Sequence, residues 1–255
     1  MNCLYRLISN VRHPLHRIGM PMKYLRSAYS DTAECVEIPS VPSFLKLPPK
    51  LNEIKQQKYD YFLVLDFEAT CDSPVNAVPQ EIIEFPVLKV NAKTFETESE
   101  FHSYVRPVIN PQLSKFCIEL TGITQEIVDN SLVFEDVFQD YQNWLHKEGL
   151  LKPGVKLTCA TCGDWDLRFM LPMQCKGLRL PVPDFMKRWI NVKVSFAELT
   201  DTYPRNMMTM IKYCQLQHEG RLHSGIDDCR NIARVLKNLA ERGMVFECNG
   251  KGNGN

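Results

Sequence analysis

Two acidic residues, Asp66 and Glu68, follow directly on an unbroken apolar run, Tyr61–Leu65. Such a run predicts a central strand that is buried on both faces. Because side chains alternate along a strand, the two carboxylates are expected to project from the same face. Two neighbouring buried carboxylates are costly unless a cation compensates them, and Mg²⁺ prefers oxygen ligands of this kind. The run therefore indicates either a divalent metal site or a strand that ends at Leu65 and leaves its acids in solvent.

A third acid, Asp228, lies near the start of a predicted helix that extends from about Gly225 to Arg242. At about 100° per residue, Asp228 falls on the apolar stripe of this helix, and Asp227 points about 100° away from it. The helix macrodipole also favours a carboxylate in the first turn. We therefore expect Asp228 to face the core and Asp227 to cap the helix or face solvent, outside the site. The apolar stripe consists of Ile232, Val235, Leu236 and Leu239.

A histidine, His223, precedes Asp228 by five residues, in a loop flanked by Gly220 and Gly225. A histidine in a loop is usually solvated. Beside a metal site, however, it would suit the role of general base, because its pKa lies near working pH.

Two further acids, Asp164 and Asp166, follow the fourth predicted strand. Either could cap the next helix or reach a site at the end of that strand, and periodicity does not separate them. Asp66, Glu68, one of these two acids, Asp228 and His223 together fit phosphodiester hydrolysis assisted by two metal ions. The sequence contains no P-loop, dinucleotide-binding glycine motif or serine triad order that would indicate another chemistry.

The elements that must position these residues follow a recognisable order. Three strands joined by short connections predict an antiparallel meander, and helices that alternate with further strands predict an α/β fold with the first strand at the centre. The predicted strands are Tyr61–Leu65, Glu81–Val90, Glu98–Val105 and Val155–Ala160, with a short or irregular one within Pro181–Asn191. The predicted helices are Gln112–Leu120, Phe134–Leu145, one beginning within Asp164–Lys176, Met207–Gln217 and Gly225–Arg242.

Charge is distributed unevenly between the two parts of the chain. Residues 1–58 carry nine basic and four acidic residues, and the remainder carries 21 basic and 26 acidic residues. An acidic body argues against nucleic-acid binding by bulk charge, but it is compatible with acids that bind metal ions. Ten irregularly spaced cysteines are typical of reduced thiols in an intracellular protein, and no apolar run is long enough to span a membrane.

Composition also predicts three segments. Residues 1–57 are expected to form a basic leader and a proline-rich linker, residues 58–246 the folded domain, and residues 247–255 a flexible tail. The leader contains five basic residues before its first acid, Asp31, which is typical either of a mitochondrial transit peptide or of a disordered basic leader. The expected location is the cytoplasm or nucleus, with mitochondrial import as the alternative. A further expectation is that the basic leader or the proline-rich segment docks a protein partner.

The sequence resembles the DEDDh branch of the DnaQ-like 3′→5′ exonucleases, and within it the "enhanced RNAi" group of exoribonucleases that includes the 3′ histone mRNA exonuclease. The resemblance rests above all on DFEAT at 66–70 combined with HSGIDD at 223–228, and it spans residues 58–246. Further similar stretches are EIIEFP at 81–86, LTGIT at 120–124, GDWD at 163–166 and WIN at 189–191. The resemblance implies a ribonuclease H-like α/β fold with a mixed five-stranded sheet and flanking helices.

The resemblance also implies roles for individual residues. By position, Asp66, Glu68, Asp166 and Asp228 would bind two Mg²⁺ or Mn²⁺ ions, with Asp166 rather than Asp164 because the acid of the family follows the tryptophan. His223 would be the general base, and Glu68 is sometimes given a proton-accepting role. Substrate contacts would come from Glu68, Ala69, Leu120, Thr121 and His223.

The expected activity is release of nucleoside 5′-monophosphates from single-stranded RNA 3′ ends. Residues 1–57 are too short and proline-broken to form the additional nucleic-acid-binding module of the histone mRNA enzyme, so recognition of a structured RNA is not expected. Two alternatives are a catalytically weak interaction protein built on the nuclease fold and an exonuclease that acts on DNA 3′ ends.

Overall fold

The structure, a computed structural model, describes residues 47–76 and 78–252. The expectations for residues 1–46, which concern the leader, its protein partner and the cellular location, lie outside the described residues. Among the described helices, none is long and apolar enough to cross a membrane.

A mixed seven-stranded sheet forms the centre of the described part of the chain. Its order is β2-β3-β1-β5-β6-β7, with β4 paired to β3. The strand β1 pairs antiparallel with β3 and parallel with β5, so the opening apolar run is central, as predicted. The strands are β1 (Tyr61–Leu65), β2 (Glu68–Ala69), β3 (Ile82–Asn91), β4 (Thr97–Tyr104), β5 (Leu157–Thr161), β6 (Arg188–Asn191) and β7 (Gly250–Lys251).

The mixed α/β fold and the antiparallel order of the first three long strands confirm the prediction. The expected five strands correspond to β1, β3, β4, β5 and β6. The two additional strands, β2 and β7, contain two residues each, and each pairs with one neighbouring strand. Runs of two residues are too short to give a period-two signal in the sequence.

Seven α-helices lie within the described residues. The last helix begins at Gly225 as predicted, whereas the helix that begins at Met207 ends at Tyr213, four residues before the predicted end. A π-helical turn, Asp166–Met170, comes before the fourth helix. The helices are α1 (Lys115–Thr121), α2 (Gln125–Asp129), α3 (Phe134–Lys147), α4 (Leu171–Leu178), α5 (Val192–Thr200), α6 (Met207–Tyr213) and α7 (Gly225–Glu241).

Helices cover both faces of the sheet, which is why β1 is apolar throughout. Phe62 and Val64 face one way and pack in a core cluster with the apolar stripe of α7. Leu63 and Leu65 face the other way and pack with α3 and α4. With both faces buried, polar groups reach solvent only at the ends of β1, and Asp66 follows its carboxyl end.

The folded domain extends beyond the predicted boundaries at both ends. Before residue 58, Leu47 and Ile54 pack against the core, and Leu51 N donates to Glu241 O over 2.6 Å. After residue 246, β7 pairs with β6, and Asn249 Oδ1 accepts a hydrogen bond from Asn191 N over 2.7 Å. Scattered apolar and amide side chains therefore anchor residues 47–57 and 247–252, which the prediction assigned to the linker and the tail.

Candidate active site

The first two acids, Asp66 and Glu68, follow the carboxyl end of the central strand β1. The strand is interrupted at Asp66 and Phe67 and continues as β2, which contains Glu68 and pairs antiparallel with β3. The register shifts between Glu68 and Ala69, so this short strand carries a bulge or irregularity. Bulges re-aim side chains beside functional sites. Phe67 turns into the core and packs edge-on against Phe85, with 4.7 Å between ring centroids.

Asp166 reaches the same place from the other side of β1. It opens the π-helical turn that follows β5, and π-turns are frequent at functional sites. Its Oδ1 accepts a hydrogen bond from Phe67 N over 2.9 Å, which ties the turn to the chain between Asp66 and Glu68. Asp164 instead accepts hydrogen bonds from Trp189 Nε1 and Asn191 Nδ2, both over 3.0 Å. Of the two acids that periodicity left open, only Asp166 lies in the acid cluster.

Asp228 reaches the cluster because α7 begins against the end of β1. Gly225 starts this helix, and a Cβ atom there would lie 2.6 Å from the carbonyl oxygen of Asp66. The prediction that Asp228 lies on the apolar stripe of the last helix is confirmed, since Asp228 is buried among the core-facing residues of α7. Its Oδ2 accepts a hydrogen bond from His223 N over 3.1 Å.

A buried glutamate, Glu84 on β3, holds the start of α7 in place. Its carboxylate accepts the backbone N–H groups of Gly225 and Ile226 over 2.9 and 3.1 Å, and it lies 2.8 Å from His102 Nε2. A carboxylate at a helix N-terminus satisfies otherwise unpaired donors and is favoured by the macrodipole. The role of Glu84 was missed in the sequence because its position in an apolar strand carries no helix-capping pattern.

The histidine and two of the acids come together at the mouth of the cluster. One ligand atom from each of Glu68, His223 and Asp228 lies within 4.8 Å of the others. His223 has a positive φ of 61°, an uncommon backbone conformation for a residue with a side chain. The loop therefore holds this ring at the acid cluster.

Burial, and to a smaller extent repulsion from neighbouring carboxylates, raises the pKa of all four clustered acids. Burial raises the pKa of Asp66 and Glu68 well above the ordinary range, and neighbouring carboxylates raise it further. Burial raises the pKa of Asp166 to about 6, against the lowering effect of its hydrogen bond from Phe67. Burial likewise raises the pKa of Asp228 to about 7, against the lowering effect of its hydrogen bond from His223.

These residues fit a divalent cation. Asp228 Oδ1 is buried without a hydrogen-bond partner among the described residues, and His218 Nε2 lies 3.7 Å from it, beyond hydrogen-bond reach. Asp66 and Glu68 lie among further carboxylates, whose negative charge disfavours their ionised forms. Carboxylate oxygens that converge are what a hard divalent cation requires. Asp66, Glu68, Asp166 and Asp228 would hold it.

The predicted substrate residues line one side of the cluster. Ala69 on β2 lies against α1, where Cys117 Sγ is 3.7 Å from the Ala69 carbonyl oxygen. Leu120, half-buried, and Thr121 end the same helix. The Thr121 hydroxyl donates to Cys117 O over 2.8 Å and accepts from Ile123 N over 3.1 Å, so it already has its partners within the helix end. The structure thus brings β2, the end of α1 and the His223 loop together, and the substrate roles stay predictions.

Asp227, predicted to cap α7 or to face solvent, instead binds the loop that carries His223. Its carboxylate accepts a hydrogen bond from Arg221 N over 2.9 Å and lies 3.0 Å from an Arg230 nitrogen. Cap or solvent was therefore the wrong expectation for its side chain. A second polar stripe on α7, which Asp227 shares with Asn231 and Arg234, was the signal available in the sequence.

Comparison with known proteins identifies the family to which the chain belongs. Residues 63–236 match the family described as RNase_T: Exonuclease. The chain is 52% identical over 209 residues to "ERI1 exoribonuclease 3" of Bos taurus, which covers 82% of this chain and 60% of that protein. It is 34% identical over 229 residues to "3'-5' exonuclease Snipper" of Drosophila melanogaster, covering 84% and 81%. The chain thus spans about 60% of the length of the first of these relatives.

Two solved structures carry the same fold. The nuclease domain of 3'hExo, described as a DEDDh family member bound to rAMP, aligns with a TM-score of 0.73 at 39% identity, covering 77% of this chain and all of that one. Cell-death related nuclease 4 (CRN-4) aligns with a TM-score of 0.68 at 30% identity, covering 72% and 65%. Family membership implies that the acid cluster binds divalent metal ions. The chain belongs to the RNase_T exonuclease family and, within it, to the DEDDh exonucleases with the ribonuclease H-like fold.

Proposed function

We propose that this chain is a metal-dependent 3′→5′ exoribonuclease that releases nucleoside 5′-monophosphates from single-stranded RNA 3′ ends. The observation that carries the proposal is the convergence of four carboxylates from separate elements with a histidine at their mouth. We further propose that Asp66, Glu68, Asp166 and Asp228 hold two Mg²⁺ or Mn²⁺ ions. When bound, two such ions activate a water for attack and stabilise charge on the leaving oxygen.

The residues of the chain supply the other parts of the chemistry. His223, which has a ring nitrogen within 4.8 Å of carboxylate oxygens of Glu68 and Asp228, takes the proton of the attacking water. The hydrogen bond from its backbone N–H to Asp228 Oδ2 keeps the loop at the cluster. Glu68 lies beside His223 and is the alternative proton acceptor. The orientation of the terminal nucleotide falls to Ala69 on β2 and to Leu120 and Thr121 at the end of α1.

The choice of RNA as substrate rests on the relatives. Those named above include an exoribonuclease and a nuclease domain bound to rAMP, and a further solved relative recognises the 3′ end of a histone mRNA stem-loop. DNA is the second candidate, because the Drosophila melanogaster relative is described as a 3′-5′ exonuclease without reference to RNA. Discrimination would depend on contacts with the terminal 2′-hydroxyl group.

The test is release of 5′-mononucleotides from matched single-stranded RNA and DNA oligomers with a labelled 3′-terminal nucleotide. We expect activity on RNA with Mg²⁺ or Mn²⁺ and none with EDTA. Asp66→Asn is the matched variant, because it keeps the shape of the side chain and removes its charge. Equal activity in wild type and Asp66→Asn would contradict the assignment of the site, and faster release from DNA would replace RNA by DNA as the substrate.

An inactive interaction protein makes a different prediction. It would show no metal-dependent hydrolysis of any end, and its binding to a partner would survive Glu68→Gln. We propose that a protein partner would bind the N-terminal segment, residues 1–57, through its basic leader or its proline-rich part. Any import signal would lie in the basic leader, residues 1–30. A reporter fused to residues 1–35 tests the location: accumulation in mitochondria supports import, and a diffuse reporter leaves the cytoplasm or nucleus.

A further inference from the structure

The loop that carries the catalytic histidine is joined to α1 by one arginine side chain. Arg221 lies two residues before His223, and its guanidinium donates to Leu120 O over 2.9 Å and to Glu119 O over 2.7 Å. These carbonyl groups lie at the carboxyl end of α1, where a helix leaves acceptors unpaired and where positive charge is favoured. The contact connects parts of the chain that are about 100 residues apart.

Gly122 leaves room for this contact. It ends α1 in the left-handed conformation with φ 76°, and a Cβ atom there would lie 2.8 Å from Arg221 Cζ. The guanidinium thus lies directly on the glycine. Glycine at this position satisfies two requirements at once, the helix C-cap and the close approach of the arginine.

The backbone of Arg221 is fixed on its other side by α7. Its N–H donates to Asp227 Oδ2 over 2.9 Å, and two residues later His223 N donates to Asp228 Oδ2 over 3.1 Å. Earlier in the loop, Asn231 Nδ2 donates to Glu219 O over 2.8 Å. The loop is therefore attached along α7, and the Arg221 side chain extends from it to α1.

On the side away from Arg221, α1 is attached to β2, which carries Glu68, and to the residues that follow β2. Ser114 Oγ donates to Cys71 O over 2.7 Å, and Cys117 Sγ contacts Ala69 O. A helix of seven residues is too short to be stable alone, so these contacts hold it in place. The short helix α1 therefore bridges β2 and the histidine loop.

We propose that Arg221 is a positioning residue that fixes the end of α1 and the His223 loop as one unit, so that nucleotide binding and the general base are aligned together. This inference rests on the proposed function. In the proposed function, Leu120 contacts the terminal nucleotide and His223 is the general base. Arg221 acts through these two residues. Loss of the bridge would therefore weaken nucleotide binding and slow hydrolysis together.

The kinetic test uses the full chain with Arg221→Ala, Arg221→Lys and Arg230→Ala. Arg230 is the matched control: it also pairs with Asp227, over 3.0 Å, but its other partner is Glu100 on β4 rather than α1. For Arg221→Ala we expect kcat to fall and the inhibition constant of 5′-AMP to rise, with kcat/KM down about tenfold or more, since two charge-assisted hydrogen bonds are lost. Arg221→Lys and added millimolar guanidinium should each restore part of the activity.

Hydrogen exchange tests the bridge independently of activity. In Arg221→Ala, amides at the end of α1 and in residues 217–224 should both exchange faster, whereas Arg230→Ala should leave α1 at the wild-type rate. Wild-type exchange in both segments of Arg221→Ala would overturn the bridge, and so would a loss of activity that neither lysine nor guanidinium restores. A wild type without nuclease activity but with the expected exchange pattern would instead contradict the proposed function alone.

Discussion

The four acids of the site fall into two pairs that are held in different ways. Asp66 and Glu68 come from the broken end of a strand, are partly exposed, and lie among other carboxylates. Asp166 and Asp228 come from helical turns, are buried, and each accepts one backbone N–H. The helix-borne pair is thus fixed before any cation binds, whereas the strand-borne pair depends on the cation for compensation.

The difference also appears in the electrostatics. The pKa of the helix-borne acids rises only to about 6 for Asp166 and about 7 for Asp228, because hydrogen bonds offset part of the effect of burial. The pKa of the strand-borne acids rises well above the ordinary range, with burial as the first cause and neighbouring carboxylates as the second. Without a cation, ionisation is therefore least favourable for the two acids at the end of β1.

Removal of a strand-borne charge should have the largest effect on activity. Asp66→Asn is expected to lower kcat by about 1,000-fold or more, because loss of metal charge stabilisation costs several kcal/mol. In EDTA, however, its Tm should equal or exceed that of wild type, since one repelling charge is gone. Mononucleotide release and thermal melting measure the two effects, and a lower Tm in EDTA would contradict the repulsion argument.

Removal of the base should leave the metal site intact. His223→Ala is expected to lower kcat by about 100-fold or more, the range typical of general-base catalysis. Because the contact between the loop and Asp228 uses the backbone N–H of residue 223, the rise in Tm on adding Mg²⁺ should persist. A variant that loses both activity and the Mg²⁺-induced rise would show that the ring is needed to form the cation site.

Metal binding should weaken at low pH, because all four acids have raised pKa values and protons compete with the cation for them. The pH range can be stated for the helix-borne acids. Their pKa values are raised, so protonation stabilises the metal-free fold at low pH, and this contribution is lost as pH rises through about 6 and 7. Protons therefore compete with the cation below pH 7. At Mg²⁺ concentrations a hundredfold above Kd we expect a Tm gain of about 5–10 °C at pH 8 that vanishes near pH 5. A gain that does not change with pH would contradict the assignment.

Loss of an acid should lower the free energy of unfolding for the helix-borne pair but not for the strand-borne pair. Asp166→Ala leaves the Phe67 N–H without its acceptor, which should cost about 1–3 kcal/mol of unfolding free energy in EDTA. Under the same conditions, Asp66→Asn should not lower the free energy of unfolding. Denaturant unfolding of the two variants beside wild type makes the comparison, and equal losses would mean that the helix-borne pair is not held more firmly than the strand-borne pair.

The close approach of α7, which carries Asp228, to Asp66 at the end of β1 depends on Gly225. In Gly225→Ala the new methyl group would lie 2.6 Å from Asp66 O, so α7 must shift, at a cost of about 1–3 kcal/mol. Gly177→Ala is the matched control within α4, where a Cβ meets nothing within 4 Å, and it should stabilise by about 0.5–1 kcal/mol. Activity should fall only in Gly225→Ala; an active, stable Gly225→Ala protein would show that the close approach is not required.

The sequence was sufficient for the parts of the fold with strong periodicity. The apolar run of β1 and the stripe of α7 predicted the central strand and the burial of Asp228, because burial on both faces or on one helical face leaves a regular pattern. Asp166 could be chosen over Asp164 only through family resemblance, since both acids follow the same predicted strand and only three-dimensional contacts separate them. The π-helical turn has no sequence signal of its own.

Contacts between distant side chains could not be read from the sequence. Glu84 caps a helix that begins 141 residues later, and the Arg221 contact with α1 spans about 100 residues. Neither residue belongs to a local motif, because the partners meet only after the sheet has formed. The same applies to residues 47–57, whose few apolar side chains suffice to anchor them only because the end of α7 offers matching partners.

The two-residue strand β7 has a consequence for the integrity of the sheet. It covers the outer edge of β6, and Asn249 continues the cover by bonding to Asn191 at the end of that strand. An uncovered edge presents free N–H and C=O groups to other chains, which favours edge-to-edge association. A protein shortened to end at Phe246 would expose this edge and should be prone to aggregation even with all of its acids in place. The last few residues of the domain thus contribute to its solubility rather than to its chemistry.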